Sequence, residues 1–347
     1  PASQPSIQPA SQPASQPASQ PASQPASQPL YKLVWFIPIK KLRDKLRNAL
    51  INKCYQSNFN QLFKYENNKA KQREIFKNNI NLVEIETHSF CNRKCWFCPN
   101  YLIDRHSRNI ELPELLYLKI INELSEINYS NVINFHRFNE PLSYKELILK
   151  RIRQAKEKLP NAKLGIYTNG DYLTTEYLDD LSEAGITKIT MSYYFNENEK
   201  FNIEKLKVNM QKNIDKLNLQ FKKILTQNNH NIRYLLSYKN ITIIYKASDF
   251  SKLGSDRGGI INGVKNNRSE FSCIMPLHAM YIDYSGTVIP CCDLRSEIKE
   301  HENMMLGNIN KNTIFELYCS KKASKMRKYL YKKSIKLPPC ATCGWYQ

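Results

Sequence analysis

No apolar run in the 347 residues approaches the ~18 needed to cross a bilayer, and no secretory signal is visible, so no membrane-spanning helix is expected. Acidic residues are short: 31 Asp and Glu face 51 Lys and Arg, a net charge of +20. Residues 1–29 lack charge altogether and hold Ile7 as their one large apolar side chain. They repeat Pro-Ala-Ser-Gln, and such a tract has too little apolar surface to offset its ordering entropy. It is expected to be an extended, disordered tail outside the fold. Ten Cys in a chain this long and lysine-rich do not fit a small disulfide-stapled scaffold. A reducing cytoplasm is the better setting for thiolates that bind metal.

The positive charge sits in two places. Residues 31–80 carry twelve Lys/Arg against three acids, a local +9, and residues 321–336 carry eight and none, a local +8. The middle of the chain is close to balanced, so nucleic acid is not the expected partner. Residues 30–80 read as a basic amphipathic segment. Ile39, Leu42, Leu46, Ala49 and Leu50 share one helical face, while Lys40, Lys41, Arg43, Lys45 and Arg47 cover the others. Such a helix either lies on an anionic membrane surface or packs against the main domain with its charges in water. The expected location is cytoplasmic, with the inner membrane face left open by that helix. Cys54 stands alone there and reads as a free thiol.

Against these absences stands a dense motif, Cys91-Asn-Arg-Lys-Cys95-Trp-Phe-Cys98, just after the apolar run Leu82-Val83-Glu84-Ile85. Three thiolates this close supply three corners of one metal centre. A closed zinc site needs a fourth ligand, for which His88 and His106 are candidates. A four-iron cluster on three thiolates leaves one iron open, and an open position marks a catalytic centre. The motif resembles the signature of the radical S-adenosylmethionine (SAM) enzymes. That resemblance implies a SAM-cleaving 4Fe–4S cluster on Cys91, Cys95 and Cys98, with SAM chelated at the open iron. It implies reductive cleavage of SAM to a 5′-deoxyadenosyl radical that abstracts hydrogen from a substrate. Phe97 fills the place of the aromatic residue that usually precedes the third Cys.

From residue 81 strands and helices alternate. Leu82–Glu86, Val132–Phe135, Lys163–Tyr167 and Ile186–Met191 read as strands, with helices at Pro113–Leu124, Ser143–Lys158, Thr174–Ala184 and from Asn202. Alternation implies an α/β fold of parallel strands and crossover helices. Ile232–Leu236 and Ile241–Tyr245 are the expected fifth and sixth strands. Six strands match the partial (β/α)6 TIM-type barrel that the resemblance implies for residues 81–265.

In such barrels ligands collect at the carboxyl ends of the strands. Asn139-Glu140-Pro141 follows strand two, where the family often has a Gly-Gly-Glu-Pro-like segment that binds the SAM amino group. Phe138-Asn139 replace the glycines, yet Glu140 is the candidate because a carboxylate suits an ammonium; Glu-Pro is also an ordinary helix start. Thr168-Asn169-Gly170 follows strand three and resembles a family turn near the SAM nucleoside, although Asn-Gly is also an ordinary turn. Ser192 follows strand four, where a similar Ser commonly meets SAM ribose or carboxylate. Asp256-Arg257-Gly258-Gly259 resembles a late family segment whose Arg reaches a carboxylate or the mouth of the site, although it reads equally as a plain Gly-rich loop.

A second cysteine group follows: Cys273, Gly286-x4-Cys291, and Cys340-Ala-Thr-Cys343. Four thiolates satisfy either an all-Cys iron–sulfur cluster or a zinc ribbon. Met280–Asp283 and Thr287–Ile289 around Tyr284-Ser285-Gly286 read as a β-hairpin, and Phe315–Tyr331 as a basic helix. The region resembles the SPASM/Twitch extension of radical SAM enzymes, a small α+β cysteine-rich domain expected over residues 266–347. Only Gly344–Gln347 follow the last Cys pair, which implies one auxiliary 4Fe–4S cluster on Cys273, Cys291, Cys340 and Cys343. Cys292 is the alternative to Cys291, and Cys319 a weaker substitute.

The resemblance implies a radical SAM oxidoreductase acting like a dehydrogenase on a carbohydrate-like or phosphorylated small molecule. An electron donor such as flavodoxin or ferredoxin is the implied partner. A peptide-modifying enzyme with a peptide substrate is the alternative within the family. A non-catalytic zinc- or RNA-binding protein is the alternative outside it. No catalytic base can be named from the sequence.

Overall fold

The computed structural model describes residues 59–195, 199, 201–262, 264, 272–332 and 336–343, all in one compact unit, Tyr55–Gln347. The expected tail at 1–29, the basic helix with Cys54, the domain boundary at 265–266 and the last four residues lie outside the described residues.

Helix α1 (Lys69–Asn79) leads into β1 (Leu82–Ile85). Then come α2 (Glu114–Glu126), β2 (Val132–Asn134), α3 (Lys145–Lys158), β3 (Lys163–Thr168), α4 (Thr175–Ala184), β4 (Lys188–Ser192) and α5 (Ile203–Lys216). The helices form where apolar residues recur on one face: Tyr117, Ile120, Ile121 and Leu124 are the buried stripe of α2. Side-chain caps fix the starts. Thr174 accepts from Tyr177 N–H at α4, and Asn202 accepts from Glu204 and Lys205 N–H at α5.

Strands β1 to β4 pair in parallel and in order. The next parallel neighbour of β4 is β7 (Ile241–Ser248), reached through the antiparallel strands β5 (Gln220–Asn228) and β6 (Asn231–Tyr238). After the short helices α6 (Phe250–Leu253) and α7 (Met275–His278), β8 (Ala279–Ile282) pairs in parallel with β1 at the opposite edge. Strands β9 (Thr287–Ile289) and β10 (Gly307–Asn308) extend that edge antiparallel. The order is β10-β9-β8-β1-β2-β3-β4-β7-β6-β5, an open sheet with a parallel centre.

Six parallel strands are therefore present, but their membership differs from expectation. Ile232–Leu236 lies in antiparallel β6, because only Lys239 and Asn240 separate it from β7. A link that short joins antiparallel strands; parallel ones need a crossover of a dozen residues or more. The sixth parallel strand is β8, expected only as half of a hairpin. That hairpin also forms, as β8–β9, turning at Gly286, whose φ of +80° suits glycine and where a Cβ would stand 2.9 Å from Ile309. The expected Phe315–Tyr331 helix is two, α8 (Ile314–Cys319) and α9 (Lys321–Lys332), broken at Ser320 with ψ 160°.

Period-2 alternation gives the central strands two unlike faces. Val83, Ile85, Ile133, Phe135, Leu164, Ile166, Ile189, Met191 and Ile243 are buried with helix residues such as Ile120, Leu124, Ile148, Leu181 and Met210. Each such side chain contributes roughly 1.5–3 kcal/mol on burial. The alternating positions, Glu84, Asn134, His136, Tyr167, Thr190, Ser192 and Lys246, are polar and turn to the concave side. They meet across it: His136 stacks on Tyr167 at 4.3 Å, and Lys246 lies over the Tyr167 ring at 5.6 Å. Among the described residues no helix is long and apolar enough to cross a membrane.

Candidate active site

Beyond β1 the chain enters the loop that carries Cys91, Cys95 and Cys98. Cys91 N–H donates to Arg105 C=O at 3.0 Å, and Cys98 N–H to Cys95 C=O at 2.9 Å, curling the loop on itself. The loop is pinned to the turn after β3. Arg93 donates to Asp171 through Nε at 2.6 Å and Nη2 at 2.5 Å, and Asn92 Nδ2 donates to the same carboxylate at 2.8 Å. Asn169 Nδ2 closes the contact on Asn92 Oδ1 at 2.8 Å. Bidentate Arg–carboxylate pairing fixes orientation as well as distance.

Burial pushes the Cys91 and Cys95 thiols up to about 12, and the neighbouring sulfur of Cys98 adds to both shifts. Thiols held this close and this dry give up their protons when a metal takes the sulfurs. The donor set therefore fits an iron–sulfur centre. Among the described residues no three His, Cys, Asp or Glu side chains converge tightly enough for a single metal ion. His88 is fully buried, with Nδ1 accepting from Phe90 N–H at 3.2 Å.

Glu140 sits beside this loop, its own N–H donating to Phe90 C=O at 2.9 Å. It is 2% exposed, and burial pushes its carboxyl up to about 7 against three hydrogen bonds that favour the charged form. Oε1 accepts from the Thr168 hydroxyl at 2.6 Å and Leu142 N–H at 3.1 Å, and Oε2 accepts from Asn169 N–H at 2.8 Å. An ionised carboxylate has about four acceptor positions. Three are filled by protein, leaving room for one more cationic donor. Gly170 completes the turn, donating its N–H to Thr168 Oγ1 at 3.0 Å. Its φ is +81°, and a Cβ would meet Met191 Sδ at 2.9 Å. The structure thus brings Glu140, Thr168, Asn169 and Gly170 together next to Cys91.

Phe97 and Ser192 meet on the other flank of the thiols. Phe97 stacks on Phe250 of α6 at 3.7 Å and contacts Tyr194 at 5.3 Å, while the Tyr194 hydroxyl bonds to the Ser192 side chain. Trp96, Phe195 and Phe201 join them around a cavity of about 360 Å³. Glu199, Ser248, Asp249 and Ser251 line the same cavity, so aromatic and polar groups share it.

The second cysteine group gathers at the far end of the hairpin. Cys340 is pushed up to about 12, by burial first and then by Cys273 and Cys343 beside it. The free thiols of Cys291 and Cys292 hydrogen-bond to each other, and both lie within electrostatic reach of Cys273. Cys292 also feels Glu84 on the concave face of the sheet, whereas Cys291 Sγ accepts from Asp293 N–H at 3.5 Å. Cys319 is buried away from this group, its thiol 3.9 Å from Gln72 C=O, so it is no substitute ligand.

Two connections link the cysteine groups. Arg257, whose φ is +53°, pairs with Asp293 at 2.7 Å and lies within electrostatic reach of both Cys98 and Cys292. The Thr342 hydroxyl, between the last two Cys, donates to neighbouring Asp256. The second connection is a buried ion network. Arg105 pairs with Glu86 at 3.2 Å and Glu297 at 2.6 Å, and Arg295 pairs with Glu297 at 3.0 Å. Arg295 Nη1 also donates to Asn100 Oδ1 at 2.8 Å, tying the first thiol loop to residues just after Cys291 and Cys292.

Comparison with known proteins finds relatives for both cysteine-bearing regions. The radical SAM superfamily model matches residues 85–209, and the SPASM iron–sulfur cluster-binding domain model matches residues 273–344. The chain is 28% identical over 254 residues to the S-adenosyl-L-methionine-dependent 2-deoxy-scyllo-inosamine dehydrogenase of Niallia circulans, covering 72% of this chain and 87% of that one. The crystal structure of BtrN in complex with AdoMet and 2-DOIA superposes with TM-score 0.55 at 26% identity, over 73% of this chain and 88% of that one. BtrN in an open conformation shares the fold, with TM-score 0.51 at 24% identity, over 76% and 92% of the two chains.

Proposed function

This chain belongs to the radical SAM superfamily and ends in a SPASM iron–sulfur domain, and from that premise we propose that it oxidises a secondary hydroxyl of a carbohydrate-like small molecule to a ketone. SAM and 4Fe–4S clusters are its cofactors. The observation that carries the reading is the match to a SAM-dependent dehydrogenase over 87% of that enzyme's length. An aminocyclitol alcohol is the substrate in that relative's name.

Cys91, Cys95 and Cys98 would hold the first cluster, and Cys273, Cys291, Cys340 and Cys343 the second. When bound, these groups supply the hydrogen-abstracting radical and accept the electron left on the substrate, while the released proton passes to solvent or a base. The chain's own residues bind and orient. Glu140, held by Thr168, Asn169 and Leu142, offers its free acceptor position to the SAM ammonium. Phe97 and its aromatic neighbours would pack against the adenine, with Ser192 linked to them through Tyr194. The Arg93–Asp171 pair keeps the thiol loop in register with Glu140. The polar concave face receives the substrate. A low-potential donor such as flavodoxin or ferredoxin would reduce the first cluster.

The test is anaerobic turnover of the iron-loaded protein with SAM and dithionite against a panel of cyclitols, sugars and nucleotide sugars. A substrate deuterated at the oxidised carbon is expected to give 5′-deoxyadenosine carrying deuterium, with one carbonyl formed for each. No 5′-deoxyadenosine from any member, in protein carrying both clusters, refutes the reading.

A further inference from the structure

Among the described residues, the concave face carries a charge that no partner balances. Lys246 on β7 and Arg233 on β6 stand directly opposite each other in the antiparallel ladder. Like charges at directly opposed positions destabilise a sheet. On its other side Lys246 faces Ser192 of β4, so the pair sits at the ligand-binding end of the barrel strands. Arg257 brings a third cation within reach of Lys246, although it is already paired with Asp293. Among the described residues no carboxylate pairs with Lys246; its ammonium rests over the Tyr167 ring. Burial, then Arg233 and Arg257, push its pKa down to about 8.

The neighbouring groups do not restore balance. His136 is held neutral at about 3, by burial first and then by Arg137 and Lys246. Glu84 lies 4.0 Å from His136, and burial pushes its carboxyl up to about 8, so it is mostly uncharged at neutral pH. An uncharged acid, an imidazole and a phenol are suited to reading hydroxyl groups. A lysine and an arginine forced side by side are suited to something else.

We propose that Lys246 and Arg233 form a subsite for a phosphate group of the substrate, which is therefore a phosphorylated sugar or cyclitol; this rests on the alcohol-oxidation reading above. A phosphate placed between the two strands accepts from the ammonium and the guanidinium at once and turns their repulsion into attraction. Arg233 is exposed and Lys246 half-buried, so the phosphate lies toward solvent and the sugar toward Tyr167, His136 and Glu84. The same cations disfavour a free amine such as that of 2-deoxy-scyllo-inosamine, which sets this chain apart from the relative of that name.

The test is calorimetric titration of the iron-loaded, SAM-bound enzyme with UDP-glucose, glucose 6-phosphate and glucosamine at fixed ionic strength. At least one phosphorylated probe is expected to bind, more weakly by about tenfold in Lys246→Ala and in Arg233→Ala, and within about threefold of wild type in Lys246→Arg. Preference between the two probes separates a nucleotide diphosphate from a monophosphate. Glucosamine binding as tightly as either, neither phosphorylated probe binding, or affinities unmoved by the alanine variants overturns the subsite. Melting without ligand is a second readout. Arg233→Ala removes a repulsion and is expected to melt no lower than wild type; a fall of several degrees makes Arg233 structural and overturns the proposal. Wild-type 5′-deoxyadenosine formation reports separately on the alcohol oxidation, so a subsite that binds in an enzyme forming none overturns that reading alone.

Discussion

Arg105→Met is the perturbation that tests most of the architecture at once. The Arg105 side chain is 2% exposed, and Glu86 opposite it is fully buried. Its guanidinium holds Glu86 at 3.2 Å, Glu297 at 2.6 Å and the Ser89 carbonyl at 2.8 Å, with the Tyr284 ring 4.7 Å beneath. Methionine keeps the volume and removes the charge. Glu86 would keep one donor, Phe138 N–H at 3.0 Å, and no cation. Breaking one partner from a buried ion pair costs about 3–5 kcal/mol, because the other charge stays buried. For a unit of ~290 residues the entropy of melting is about 600 cal/mol/K, so the midpoint should fall by ~5–8 °C. The assay is thermal melting of iron-free, reduced protein, since bound clusters would add their own stabilisation. Arg105→Met with Glu86→Gln should recover much of the loss, because neither charge is then stranded. A drop of under ~2 °C in the single variant, or strictly additive losses in the double, would show that the network does not hold the thiol loop. Since Arg105 C=O also accepts from Cys91 N–H, the single variant should take up less iron on reconstitution.

Other outcomes can be stated briefly. Glu140→Gln should keep the turn at Thr168 and Asn169 but weaken SAM binding roughly 10- to 100-fold, the worth of one charge-assisted hydrogen bond, as read by equilibrium dialysis. Loaded protein should carry about eight irons; Cys91→Ala with Cys95→Ala and Cys98→Ala should leave about four. Cys291→Ala should likewise lose about four irons and Cys292→Ala should not, with the reverse assigning the ligand to Cys292. Burial alone would raise the Glu297 carboxyl, but Arg295 and then Arg105 hold it at about 2, below its ordinary 4.5. Its stabilisation is therefore complete above about pH 4.5 and lost as pH falls toward 2. Glu297→Gln should flatten melting temperature against pH across that window, and an unchanged slope would remove Glu297 from the account.

What the sequence disclosed, and what it hid, follows from distance along the chain. The thiol motif, Glu140 and the turn at Thr168-Asn169-Gly170 are local patterns at strand ends, so β/α alternation was enough to place them at one edge of a sheet. The helices were legible for the same reason, through their apolar spacing and through caps such as Thr174 and Asn202. The network of Arg105, Glu86 and Glu297 joins residues about two hundred positions apart, and no window of sequence contains it. Phe250 stacking on Phe97 is hidden likewise. The parallel pairing of β8 with β1 could not be read either, since four residues serve a hairpin and a barrel edge at once. The antiparallel turn at Lys239-Asn240 was readable, because a two-residue link excludes a parallel partner. So was Glu84, an acid inside an apolar strand, which marks the polar side of the sheet.

The split between the sheet's two faces has an evolutionary corollary. Val83, Ile133, Ile166 and Ile243 are committed to the helices behind them, and replacing one disturbs everything packed there. Glu84, His136, Tyr167 and Lys246 meet across the concave face. A lineage can exchange those inward residues, and with them the molecule it accepts, while the barrel still assembles. Relatives that share this fold are therefore free to diverge in the molecule they accept, through a few substitutions at every second position.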